Sequence, residues 1–212
     1  MIEYISLKNI IFDLGNVILN VDYQKSIDAF HRLGFVNFET IVEKLRTDKV
    51  FERIETGKLH PDGFRNEIRK YTTLLITDNQ IDDAWNAMIL DFPKNRIHKL
   101  IELGKKYKLF LLSNTNEIHT LFFNKIFAET YGFPDFDCLF EKAYYSQRIH
   151  LRKPDPKIYE KVLNDNMLQP NKTLFIDDLP VNIQAAQALG IHCHHLLPNE
   201  ELTDVLYKIT NK

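Results

Sequence analysis

Four short stretches of this 212-residue sequence carry side chains that could do chemistry together. In NIIFDLGNVILN the apolar run Ile10-Ile11-Phe12 stops at Asp13, with Gly15 two residues on. LFLLSNTN delivers Ser113 and Asn114, LRKPDP holds Lys153 between Arg152 and Pro154, and TLFIDDLPVN delivers Asp177 and Asp178. Three carboxylates in one place repel and raise one another's pKa unless a cation sits among them. Carboxylates with backbone carbonyls and waters suit Mg2+, which keeps several waters and helps bind phosphates. Ser113 and the free N–H groups opening the next helix suit anionic oxygens. Lys153 offers a point charge for a phosphate and neutralises the acids. An aspartate can act as the nucleophile that forms an aspartyl-phosphate, in a reaction carried by positioning and electrostatics.

Taken singly, each residue has a plainer reading. Asp13 reads as a strand-end or turn residue, Ser113 as a helix N-cap, Lys153 as a solvated loop lysine, and Asp177-Asp178 as a cap for the next helix. The four stretches argue for a site only as an ordered set.

The elements that must gather them follow from the apolar pattern. Ile10–Phe12, Leu109–Leu112, a ragged Cys138–Tyr145, Thr173–Ile176 and Ile191–Leu196 are too short for helices and rich in β-formers. Helical patterns alternate with them: Asn95–Leu103 stopped by Gly104, Glu117–Phe127 after the capping run Ser113–Asn116, and Pro156–Met167 and Pro180–Leu189, both opened by proline. Strands alternating with helices predict an α/β fold with a doubly wound, Rossmann-like parallel sheet. In such a sheet, ligands bind outside the carboxyl ends of the strands, where Asp13, Ser113 and Asp177-Asp178 follow three of the apolar runs and the loop after the third strand leads to LRKPDP. Residues 21–92 break the rhythm and read as helices around Gln24–Leu33, Phe38–Val50, Pro61–Tyr71 and Asn79–Ile89. The expected organisation is an α/β core of residues 1–20 and 93–212, with a helical subdomain, 21–92, inserted after the first strand.

Composition narrows the functional classes. With 27 basic and 29 acidic residues the net charge is -2, which gives no electrostatic case for nucleic acid or an anionic membrane. The opening MIEYISLKNIIF reads as neither a signal peptide nor a membrane span. Two cysteines, Cys138 and Cys193, form no CxxC pair or disulfide framework, so a reducing cytoplasm is the expected compartment.

FDLGNV, LLSNTN, RKPDP and FIDDLPVNI resemble, in order, spacing and apolar context, the four motifs of the haloacid dehalogenase (HAD) superfamily of phosphohydrolases. The resemblance covers nearly the whole chain, and IETGKLHPDGFRNEI is the most familiar part of the helical cap. Within the superfamily the chain is most similar to the bacterial alpha-D-glucose-1-phosphate phosphatase subgroup, through YYSQ and DD…NI…A…LGI. The resemblance implies Asp13 as nucleophile and Mg2+ ligand, and Gly15 as a ligand through its carbonyl. It implies Ser113 and Asn114 as binders of the transferring phosphoryl with Lys153 beside them, and Asp178 and Asp177 as further metal ligands supported by Asn182. The partner it implies is a small phosphorylated metabolite, a sugar 1-phosphate being favoured, acted on by a monomer or homodimer.

One departure matters. Most phosphatases of the superfamily carry a second aspartate two residues after the nucleophile, as acid and base. Here that position is Gly15, an absence the cited subgroup shares. General acid–base help is worth roughly 10²–10⁴-fold, so its loss slows such an enzyme without abolishing it and favours a good leaving group. His60, in the insertion, is one candidate substitute; water or the substrate are others. Three alternatives remain: 2-haloacid dehalogenation, disfavoured by the acid pair 177–178; a phosphomutase, disfavoured by Gly15; and an inactive binding protein of the same fold. IHCHH (191–195) reads as a last strand with polar residues outward, not a zinc site. KNRIHK (94–99) reads as a solvated helix face, Trp85 and Met88 as cap core, Phe122-Phe123 and Tyr144-Tyr145 as packing residues, and Asp22 as a surface acid at the hinge.

Overall fold

The sheet is built from β1 (Asn9–Phe12), β2 (Lys108–Ser113), β3 (Lys142–Tyr145), β4 (Thr173–Asp177) and β5 (His192–His195). The structure, a computed structural model, describes residues 7–210, so the expectation for residues 1–6 lies outside the described residues. The strands run in the order β3-β2-β1-β4-β5 and all pair in parallel. The central strands are buried on both faces, which is why they read as unbroken apolar runs. Alternate residues feed two cores: Ile10, Phe12, Leu111 and Ile176 face one, and Ile11, Phe110, Leu112 and Phe175 the other.

Between β1 and the next core helix lie α1 (Tyr23–Arg32), α2 (Phe38–Thr47), α3 (Val50–Glu55), α4 (Pro61–Arg69) and α5 (Asp78–Asn86). They close on a cluster of their own that includes Phe30, Phe38, Ile54, Phe64 and Ile81. Two chain segments join these helices to the sheet, and they pair with each other. Asn20 N–H donates to Asp91 O (2.9 Å), Leu90 N–H to Asn20 O (3.0 Å) and Asp22 N–H to Met88 O (2.9 Å). Asp22 also caps α1 by accepting from Gln24 N–H at 3.0 Å. The core continues with α6 (Lys94–Leu103), α7 (Glu117–Tyr131), a single turn α8 (Ser146–Ile149), α9 (Pro156–Asp165), α10 (Pro180–Gln187) and α11 (Leu202–Thr210), which flank both faces of the sheet. Among the described residues no helix is long and apolar enough to cross a membrane.

Several expectations need correction. The third strand is only Lys142–Tyr145; residues 137–139 form a 3-10 turn. Asp135 Oδ1 accepts from Cys138 N–H at 3.1 Å, a local turn bond that competes with the strand. Phe38–Val50 is not one helix, because Lys49 takes φ 55° and starts α3 afresh. Arg96 is not on a solvated face: it is 9% exposed and forks onto Glu201 at 3.0 Å twice while reaching Asn20 Oδ1 at 3.1 Å. That fork ties the paired linker to the residue just before α11, an element the apolar pattern did not announce.

Candidate active site

Each strand end does what its sequence requires. β1 stops at Asp13, whose N–H still donates to Ile176 O at 2.9 Å, so the carboxylate leaves the sheet beside the end of β4. β2 ends in Ser113, and the following loop is fixed by Ser146. The Ser146 hydroxyl accepts from Thr115 N–H (3.0 Å) and donates to Thr115 O (3.1 Å). The cap of α7 is Asn116, which accepts from His119 N–H at 3.1 Å; Ser113 stands before the capped turn, buried at 3% exposure. Sequence reasoning missed Ser146, because its partners lie 31 positions away.

Lys153 is the centre of the site. Its side chain is 1% exposed, and Nζ donates to Asp13 Oδ1 at 2.6 Å and to Asp177 Oδ2 at 2.7 Å. Burial pulls its pKa down, but the two carboxylates outweigh that and hold it above the ordinary lysine value. Asp177 is fully buried and also accepts from Leu179 N–H (2.8 Å) and Asn182 Nδ2 (2.9 Å). Asp178 is half-buried, touched by Asn16 Nδ2 at 3.3 Å, and its backbone carbonyl meets His195 Nε2 at 3.0 Å. Burial, reinforced by Asp177, raises the Asp178 pKa. Burial is also the largest influence on Asp13, pushed up to about 7 even against the pull of Lys153.

Carboxylate oxygens of Asp13, Asp177 and Asp178 lie within 4.8 Å of one another, a cluster that could hold a metal ion. The donor set fits a hard cation. All are oxygens, Lys153 accounts for only one oxygen of Asp13, and two of the carboxyls have pKa values raised in the absence of further positive charge. Gly15 lies in the turn after Asp13, and a Cβ there would meet nothing closer than Val21 Cγ2 at 3.5 Å.

The structure therefore brings Asp13, Lys153, Asp177 and Asp178 together, with Ser113 at the neighbouring strand end. Asn114 is turned differently from the expectation. Its side chain is spent on the Lys153 backbone, accepting from N–H at 2.8 Å and donating to O at 2.9 Å. His60 is exposed at the start of α4 and lines a cavity with Gln147, Arg148 and His150 that includes neither Asp13 nor Ser113. Of the histidines in IHCHH, His194 pairs with Glu200 at 3.2 Å and His192 contacts Asn171 O. Tyr144 and Tyr145 are fully buried, their hydroxyls on Asp165 and Asp137, away from the carboxylate cluster.

The inserted helices meet this site through contacts the sequence did not signal. Glu55 Oε2 receives Arg152 Nε at 2.9 Å and Nη2 at 2.8 Å, one residue before Lys153. Thr56 O meets His150 Nδ1 at 2.8 Å. Gly57, at φ 67°, lies so close that a Cβ would stand 2.4 Å from Gln147 O. Further round, Trp85 of α5 stacks on His119 of α7 with centroids 5.0 Å apart.

The profile of the haloacid dehalogenase-like hydrolases matches residues 7–190. D-ribitol-5-phosphate phosphatase of Bacteroides thetaiotaomicron is 31% identical over 87% of this chain and 89% of its own length. A HAD family enzyme of the same organism, in complex with magnesium and inorganic phosphate, superposes with TM-score 0.85 at 35% identity, covering 94% of this chain and 98% of the other. A HAD-like hydrolase of Porphyromonas gingivalis gives TM-score 0.87 at 29% identity, covering 98% and 99%. With a family profile over most of the chain, the same fold and relatives aligned over nearly their whole length, the chain belongs to the haloacid dehalogenase-like hydrolase family and is a phosphatase of that type.

Proposed function

We propose that this enzyme is a Mg2+-dependent phosphatase of small phosphorylated sugars or polyols, working through an aspartyl-phosphate on Asp13. The observation that carries the reading is Lys153 Nζ held between Asp13 and Asp177, with Asp178 completing a carboxylate cluster. Asp13 Oδ1 is bound to Lys153, which leaves Oδ2 to attack phosphorus. Ser113 and the backbone N–H groups after it, with Lys153, bind the transferring phosphoryl. Asn114 then serves as the residue that positions Lys153. Asp13, the carbonyl of Gly15 and Asp178 would hold Mg2+, with Asp177 in support. When bound, Mg2+ supplies charge compensation for the phosphoryl oxygens. Residues 21–92 form a cap that docks over the site through Glu55–Arg152 and excludes bulk water.

With Gly15 in place of a proton donor, the leaving oxygen departs without a side-chain acid two residues after the nucleophile. An anomeric oxygen tolerates this better than an ordinary alkoxide, which supports sugar 1-phosphates. The similarity to a D-ribitol-5-phosphate phosphatase supports a second reading, a polyol phosphate whose own hydroxyls assist. The acid pair 177–178 argues against metal-free dehalogenation. Similarity to the L-2-haloacid dehalogenase of Xanthobacter autotrophicus, TM-score 0.60 at 16% identity, concerns the fold alone. The reading includes a monomer or homodimer in the cytoplasm. Phosphate release from p-nitrophenyl phosphate should require Mg2+ and stop with EDTA. A panel of sugar 1-phosphates and polyol phosphates then separates the two substrate readings. Chloride release from 2-chloropropionate without metal would overturn both.

A further inference from the structure

The edge of the sheet opposite the carboxylate cluster carries an unusual charge. Lysine stands at the start of three adjacent strands: Lys8 just before β1, Lys108 opening β2, and Lys172 just before β4. The three are bonded through their backbones, Lys8 N–H to Lys172 O and Lys108 N–H to Lys8 O, both at 3.0 Å. Lys8 and Lys172 precede the register pair Asn9–Thr173 and so stand one strand spacing, about 5 Å, apart; Lys108 is level with Asn9, one position further on, and its side chain leaves the other face of the sheet at the same edge. With Lys105 and Lys106 from the turn before β2, they line an open cavity of about 720 Å³. A single carboxylate, Glu141, lines it with them.

Among the described residues, none of these five lysines has an ion-pair partner. Lys142, at the start of β3, does have one, Asp165 at 3.1 Å. In a chain of net charge -2 this concentration of positive charge is local. Gln169, Tyr107 and the apolar Leu7, Met167 and Leu168 also line it, with Asn166, whose amide nitrogen already donates to Tyr144 Oη and Val162 O. The volume is that of an ordinary small-ligand site. Concavity favours a compact ligand over a nucleic acid strand, which would need an extended track.

We propose that this cavity binds a small polyanion carrying several phosphoryl groups, at a site separate from the catalytic edge. Strands of four to six residues put the two edges on the order of 15–20 Å apart. A ligand here does not occupy the catalytic centre.

Calorimetric titration of the full chain in EDTA, with inorganic tripolyphosphate and separately with ATP, tests this. Saturable binding at one site is expected, weakening with salt. Lys8→Gln/Lys108→Gln/Lys172→Gln should weaken binding by about tenfold or more, with p-nitrophenyl phosphate turnover and the melting temperature unchanged. If the triple variant fails to fold, Lys8→Gln and Lys172→Gln singly should each weaken binding measurably. ATP binding more tightly than tripolyphosphate would identify a nucleotide, and equal affinity a free polyphosphate. Undiminished binding in these variants would overturn the proposal. So would an equal loss in a control Lys44→Gln/Lys125→Gln/Lys208→Gln. Tighter binding of an RNA oligonucleotide would replace the small ligand with a nucleic acid.

Discussion

Asn114 and Lys153 hold each other by two reciprocal hydrogen bonds, 2.8 Å from Lys153 N–H to Asn114 Oδ1 and 2.9 Å from Asn114 Nδ2 to Lys153 O. The amide of one strand-end loop thereby fixes the backbone that aims Nζ at Asp13. Asn114→Ala removes both bonds, at a net cost of about 2 kcal/mol in stability by denaturant titration. Turnover of p-nitrophenyl phosphate should fall by roughly 10–100-fold, the effect of losing a residue that orients a catalytic group. Turnover equal to wild type would show that Lys153 needs no such support.

Lys153 itself is withdrawn from water between two acids. Lys153→Met leaves those carboxylates without their cation, and should destabilise the metal-free protein by about 3–5 kcal/mol while abolishing activity. Adding Asp177→Asn should recover part of the stability but none of the activity. A double-mutant cycle in urea checks this, and strictly additive losses would deny the coupling.

Much of this site was legible in the sequence because it depends on order along the chain. Asp13, Ser113 and Asp177 end apolar runs, and parallel pairing must bring such ends to one edge. The partners that hold them were not legible. Asn114 with Lys153, Ser146 with Thr115, Glu55 with Arg152 and Arg96 with Glu201 pair across 31 to 105 positions, and polar residues carry no periodic mark of a distant partner. The third strand was overread for a related reason, since a local bond from Asp135 outweighed the β-forming character of Cys138-Leu139-Phe140.

His119 gives a pH prediction at the junction between α5 and α7. Its ring is stacked on Trp85 and bonded to Asn86 Oδ1 at 2.8 Å, and burial pushes its pKa down to about 3. The unfolded chain protonates this residue near pH 6.5, the folded chain only near 3. Between those values the unfolded state holds the extra proton, so stability falls as pH drops and is fully present above about 6.5. The loss attributable to His119 should be on the order of 1–2 kcal/mol, discounted because the residue is only half-buried. Urea titrations of wild type and His119→Gln between pH 4 and pH 7, in steps of about one unit, read the difference. Parallel curves would contradict it.

Gly15 offers a gain of function. Its backbone lies outside the left-handed region, and a Cβ would make ordinary contact with Val21. Gly15→Asp should therefore fold and restore a proton donor. Turnover of a primary alkyl phosphate should rise by about tenfold or more, while p-nitrophenyl phosphate, whose leaving group needs no proton, should change little. A uniform change across both substrates would mean that leaving-group protonation does not limit this enzyme.

The nucleophilic role of Asp13 is tested most directly by quenching a single turnover of substrate and Mg2+ with borohydride. An acyl phosphate is reduced to the alcohol, so peptide mass spectrometry should find homoserine in place of Asp13, in wild type and not in a metal-free control. Homoserine absent from position 13 while phosphate is released, or phosphate release at the wild-type rate in Asp13→Asn, would contradict catalysis through an aspartyl-phosphate at this site.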